Sequence, residues 1–192
     1  MYENHSKLRS HTSTQSESSL CPDYKMKPWF LNGSHESDYE IGIDDNHDGK
    51  RSGFLRSKVD QPRGFGGFMQ MFKADRYRNK RMRFAAIVKS EEVVGWAGLW
   101  MRMEGAGKEV LGFDNMQNRP ILGTKDWQRY QVVLDVPKES VHIAFGVLLS
   151  GKGQLWVSDV VFQETEEQVT AVDDQYPDEP GNLDFSHIEF SK

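Results

Sequence analysis

Trp96, Gly98, Trp100 and Arg102 stand at alternate positions in a chain of 192 residues. Residues two apart on an extended strand share one face, so two indoles, a gap and a forked cation are presented together. Such a set can hold a ring-shaped, hydroxylated molecule, because an aromatic ring covers the C–H face of a pyranose while Arg, Asp, Asn and Gln side chains hold its hydroxyls. The other outward-facing positions continue the theme. Small residues (Ala85, Gly98, Ala144, Gly146) fall among large or polar ones (Arg83, Trp96, Trp100, Arg102, Trp127, Arg129, Gln131, His142), which predicts a groove floored by small residues. The loop Asp114-Asn115-Met116-Gln117-Asn118-Arg119-Pro120 carries more hydrogen-bonding side chains than a simple turn requires. The candidate ligand-binding residues are therefore Arg83, Trp96, Trp100, Arg102, Asp114, Asn115, Gln117, Arg119 and His142. The competing use of the same residues is structural: Trp96 and Trp100 pack against a neighbouring strand or the tail, and Arg102 pairs with Asp114 or Glu104.

A second chemistry is suggested by DDNHDGKRSG, where Asp44, Asn46 and Asp48 precede Gly49 in the manner of a calcium loop opening. The match ends there. Leu55 occupies the twelfth position and cannot supply a bidentate carboxylate, and the flanks read as strands, so a solvated turn between strands is the simpler reading. The six histidines, His5, His11, His35, His47, His142 and His187, show no metal-ligand spacing. Cys21 is the single cysteine, which excludes an internal disulfide and a cysteine metal cluster. Asp114 with Glu104 could form a carboxylate pair, but charges flanking a hairpin do so by default, and catalysis ranks below binding.

These residues must be positioned by strands. From Lys80 to Arg119 apolar residues alternate in two runs, predicting two long strands, a short third and a polar loop. Met82, Phe84, Ala86 and Val88 form the core face of the first run, and Ala97, Leu99, Met101 and Met103 that of the second. Around them, strands are expected after a turn at Asn32-Gly33, through Tyr39, Ile41 and Ile43, at 52–57 and at 64–74. Further strands are expected at 128–136, 141–149 and 155–164. Gly151-Lys152-Gly153 is read as a turn joining the last two, and Trp156, Val160 and Phe162 as inward-facing on the final one. Many strands, short turns and little helical periodicity predict an all-β antiparallel sandwich.

The length allows one domain with a sizeable core. Residues 1–23 are polar and predict a disordered tail, 24–164 the sandwich, and 165–192 an acidic extension with an edge strand near 183–190. Net charge is −5, which implies no bulk polyelectrolyte role. Basic residues nonetheless concentrate in 50–89, a pattern that either a nucleic-acid surface or simple strand alternation would produce. Neither a signal-peptide core nor a run long enough to span a bilayer is visible, so a cytoplasmic protein with no membrane partner is expected. No stretch has the period and turn of a helix-turn-helix.

The runs GFMQMFKADRYRNKRMRFAAIVKSEEVVGWAGLWMRM, LGFDNMQNRPILGTKDWQRYQVVLDVP and IAFGVLLSGKGQLWVSDVVFQE resemble a bacterial jelly-roll module of the galactose-binding-like kind. Such modules occur alone, or attached to AraC-type transcription regulators and to hydrolases. The resemblance covers about 29–164 and is most specific in GWAGLWMRM and FDNMQNRPI. It implies the jelly-roll fold and a ligand-binding or accessory role. It also implies a structural calcium near Asp159, since related jelly rolls carry an acidic residue at that place on the final strand; the alternative for Asp159 is a buried carboxylate that pins a loop. The expected function is thus a non-catalytic carbohydrate- or polyol-binding module, a sensor or accessory domain of a transcription regulator. The alternatives are binding of DNA or a regulatory protein through the basic 50–89 surface and, ranked lower, a sugar-modifying enzyme.

Overall fold

A computed structural model of the chain describes residues 29–47 and 50–166, with side chains described outside 45–50. The expected tail at 1–23 and the edge strand near 183–190 lie outside the described residues. Eight strands follow one another: β1 (Phe30–Gly33), β2 (Tyr39–His47), β3 (Lys50–Ser57), β4 (Phe65–Lys73), β5 (Arg81–Glu104), β6 (Val110–Asp114), β7 (Ile121–Asp135) and β8 (His142–Glu164). A single 3-10 turn at Glu36–Asp38 is the one helical element among the described residues.

The architecture depends on β5 and β8, which run antiparallel to each other from Met82↔Glu164 to Glu104↔His142. The two alternating runs predicted as separate strands are one strand of 24 residues, and Gly151-Lys152-Gly153 lies within a strand of 23 instead of forming a turn. Both strands bend at the same level. Gly95 (φ 110) faces Gly151 (φ 89) there, and a Cβ on either would come within 2.2 Å of the partner strand's backbone. Only glycine adopts this conformation without strain and leaves room for so close an approach, so the pair marks where the ribbon turns a corner.

The bend divides the hydrogen-bonded network into two layers. One layer has the order β1, β4, first half of β8, second half of β5, β6. The other has the order β2, β3, second half of β8, first half of β5, β7. They pack face to face around one core. Phe84 from the second layer stacks on Phe145 from the first at 4.4 Å, and Phe162 meets Phe72 at 5.4 Å across the same gap. The predicted core faces of β5 are fully buried: Met82, Phe84, Ala86 and Val88 in one half, Ala97, Leu99, Met101 and Met103 in the other. This is the all-β antiparallel sandwich that the alternation implied.

Two local expectations are corrected. Asn32 and Gly33 end β1 and the expected turn falls just after them, at Ser34-His35, while β1 pairs with β4. On β8, Leu155 and Val157 face the core while Trp156 lies on the outer face and Val160 is exposed. A bulge explains the error. Register against β5 slips between Ser158 and Val161, with Asp159 at φ 47, so Phe162 returns to the core with opposite parity.

Candidate functional site

The outer face of the first layer carries a groove of about 380 Å³. Registers give its rows directly. Phe65, Ser150 and Trp96 lie opposite one another across β4, β8 and β5; the next rows are Asn32, Gly67, Leu148 and Gly98, then Phe30, Met69, Gly146 and Trp100, then Met71, Ala144, Arg102 and Phe113. Met69, Trp100, Ala144 and Leu148 form a buried apolar cluster that makes the floor, with Phe30, Met71 and Trp96 packed against it. Phe65 and Phe113 are 42% and 51% exposed and form the rims.

Of the small residues expected to form the floor, Ala144 lies in it, whereas the glycines serve the site differently. A Cβ on Gly146 would lie 2.3 Å from the Phe68 carbonyl oxygen, so that glycine lets β4 approach closely. One on Gly98 would meet the Asn115 carbonyl oxygen at 2.9 Å and Met116 Cβ at 3.0 Å, so that position is covered by the 114–119 loop. The Trp100 indole reaches across β8 toward Gly67, its Nε1 4.0 Å from where a Cβ would stand there. Trp100 is 8% exposed, and its N–H has no partner among the described residues.

Polar groups reach the groove at four points, Asn32, Arg102, Asn115 and Ser150. Arg102 pairs with Glu104 through Nη2, its guanidinium lies 5.8 Å from the Trp100 ring, and its buried Nε has no hydrogen-bond partner among the described residues. The Ser150 hydroxyl donates to the Gly64 carbonyl at 3.3 Å. Asn115 is held by its own loop, its Oδ1 accepting the Gln117 N–H at 3.1 Å.

Of the nine residues selected from sequence, Trp96, Trp100, Arg102 and Asn115 line the groove. Asp114 and Arg119 form the frame beneath Asn115. Arg119 donates to both Asp114 oxygens, at 3.1 and 2.6 Å, and Asp114 Oδ1 also accepts the Met116 N–H at 2.8 Å. Met116 (φ 60) is thereby turned into the core, 2% exposed. Gln117 contributes its backbone to the same loop. His142 lies beyond the groove, in the row with Lys73 and Glu104. Arg83 is not on this layer: it stands on the second layer with Ala85, Arg129 and Gln131, because the bend in β5 carries residues before it to the other side of the sandwich. Sequence reasoning missed Phe30, Asn32, Phe65, Met69, Met71, Phe113, Leu148 and Ser150, which come from strands that only the pairing brings together.

The calcium candidates are dispersed in role. Asp44 Oδ2 accepts the Trp156 indole N–H at 2.8 Å. The side chain of Asn46 and the whole of Asp48 lie outside the described residues, and β2 and β3 pair as far as His47↔Lys50. Asp159 is exposed at the β8 bulge, so it is not the buried carboxylate considered for it. Among the described residues no group of three His, Cys, Asp or Glu side chains is placed to hold a metal ion.

Two antiparallel layers sharing a pair of bent strands, with a groove across the outer face of one, define a jelly-roll β-sandwich of the kind seen in carbohydrate-binding modules. The CBM22-1 xylan-binding domain of Paenibacillus barcinonensis Xyn10C is similar with a TM-score of 0.52, at 12% identity, over 74% of this chain and 89% of that domain. Part of a larger enzyme is also similar: the enzymatically active domain of bacteriophage CBA120 tailspike protein 4, TM-score 0.56, 11% identity, over 72% of this chain and 19% of that one. In sequence the chain is 48% identical over 185 residues to YbfP of Bacillus subtilis (strain 168), described as an uncharacterized HTH-type transcriptional regulator. That match covers 93% of this chain, which spans 62% of the relative's length. No protein-family model matches. Among the described residues no helix is long and apolar enough to cross a membrane.

Proposed function

We propose that the groove on the first layer binds a carbohydrate or a similar polyol without transforming it, and that the domain is the ligand-sensing part of a transcription regulator. The observation that carries this reading is the juxtaposition of Trp96 and Trp100 on one strand, between the aromatic rims Phe65 and Phe113, with Arg102 and Asn115 at hydrogen-bonding reach of the same space. Ring faces and fixed donors in a concave apolar site are what a pyranose requires. The fold shared with a xylan-binding domain and the similarity to an HTH-type regulator both support it. The non-catalytic reading is supported by the likeness to a xylan-binding domain, and the described residues that line the groove offer it Arg and Asn side chains for binding.

A thermal-shift screen against mono- and oligosaccharides, with and without calcium, tests the proposal, because a ligand of the folded state raises apparent stability. At a saccharide concentration one hundred times Kd the stabilisation is about 2.7 kcal/mol, a shift of several degrees. Trp96→Ala, which changes the partly exposed wall and not the floor, abolishes the shift while the unliganded melting temperature stays close to that of the parent. No shift with any saccharide would sink the proposal. A rise with calcium alone would mark a structural ion held by candidates such as Asp44 or Asp159.

A further inference from the structure

The groove's formal charge is one-sided. Among the described residues its lining holds one formal cation, Arg102, and no carboxylate. The Trp100 N–H is a donor without a partner among the described residues, and Arg102 Nε is a buried donor in the same condition. Asn115 Oδ1 already accepts from the Gln117 backbone, while neither of its amide N–H groups is engaged in that bond. A site for neutral sugar hydroxyls is served by carboxylate acceptors as much as by donors, since each hydroxyl both gives and takes a hydrogen bond. A site with one guanidinium and unpartnered donors, whose acceptors are only neutral groups such as the Asn32 amide and the Ser150 hydroxyl, fits a ligand carrying negative charge.

Glu104 does not cancel this bias. It lies one row beyond Arg102, outside the groove lining, with a side chain only 13% exposed, and engages the guanidinium from that side. It fixes the orientation of Arg102, whose side chain is 34% exposed. An arginine held in place loses less conformational freedom on binding than a mobile one.

Resting on the carbohydrate reading above, we infer that the groove selects an acidic saccharide, a uronic-acid-containing sugar whose carboxylate meets Arg102 while its ring lies against Trp96 and Trp100. Charge-assisted hydrogen bonds to a carboxylate are about twice as strong as neutral ones, and a lost partner is correspondingly costly.

The test uses matched pairs that differ only in charge: oligomers of galacturonate, glucuronate and mannuronate, each beside its methyl ester of equal length, titrated calorimetrically into the full chain. At least one uronide should bind tenfold or more tightly than its ester, and raising the salt from about 50 to 500 mM should narrow that gap. Arg102→Gln should erase the preference, whereas Arg102→Lys, which keeps the charge and guards against misfolding, should retain part of it. Esters binding as well as acids, or a preference unchanged in a folded Arg102→Gln protein, overturns the inference. Neutral sugars binding in a Trp96-dependent manner with no uronide advantage would remove this inference and leave the carbohydrate reading standing. No binding by any saccharide removes both.

Discussion

Arg119 and Asp114 show how a residue chosen for its chemistry can serve a neighbour instead. Both oxygens of Asp114 are held by Arg119, and the fork also donates to Asn118 Oδ1 at 3.1 Å and toward the Gln131 carbonyl at 3.4 Å. These contacts set the loop that turns Met116 into the core and Asn115 toward the groove. Arg119→Ala is therefore expected to destabilise the protein by about 1–3 kcal/mol, the range for a hydrogen-bonded charge losing its partner. It should also weaken saccharide binding several-fold, through misplacement of Asn115. Denaturant unfolding and titration of the same variant check both. Loss of binding with undiminished stability would mean that Arg119 touches the ligand directly. Nothing in the loop's sequence distinguishes these roles, because Asp, Asn and Arg are equally suited to holding a sugar and to holding each other.

At the scale of elements, the bend of β5 and β8 is braced by Tyr39 from β2. Its buried hydroxyl donates to the Gly64 carbonyl at 3.2 Å and accepts the Gly151 N–H at 3.2 Å, tying the corner of β8 to the approach to β4. Tyr39→Phe leaves both backbone groups without this partner and should cost about 1–3 kcal/mol. A pH dependence follows from the same burial. Removal of the phenol from water raises its pKa above the ordinary 10.0, a rise opposed by the Gly151 N–H. The folded state then holds the proton more firmly than the unfolded chain does. Its contribution is fully present below about pH 10 and is lost as pH rises through the folded value. Urea unfolding at pH 9 and pH 11 should show a smaller alkaline loss for Tyr39→Phe than for the parent. Part of the loss should persist, since burial shifts Tyr130 in the same direction. Equal losses in the two proteins would remove Tyr39 from the account.

Over the whole molecule, at least five of the twelve basic residues in 50–89 are paired with carboxylates, four of them with partners outside the stretch. Arg56 pairs with Glu40, Arg63 with Asp38, Arg78 with Asp75, Lys80 with Glu164 and Arg81 with Asp135. Exposed pairs of this kind add little stability, but they reduce the positive field that a nucleic acid would meet. With a net charge of −5, the chain is expected to show no saturable binding of labelled duplex DNA tighter than about 10⁻⁴ M in fluorescence anisotropy at physiological salt. Tighter binding with a steep salt dependence would restore the nucleic-acid reading.

The alternation of side chains determined by itself that this is an antiparallel sandwich and which faces of β5 are buried, because a period of two is imposed by the strand backbone and needs no partner. It likewise put Trp96, Trp100 and Arg102 on one surface, since residues two apart share a face whatever the strand packs against. What period alone could not deliver was any feature created by an irregularity or a pairing. A bend at Gly95 and Gly151 moved Arg83 to the opposite layer, a bulge at Asp159 reversed the parity of β8, and the rims Phe65 and Phe113 met Trp96 and Arg102 only through register. Local sequence specifies side-chain direction along a strand; which strands lie side by side, and where a strand turns its face over, is decided by the packing of the whole chain.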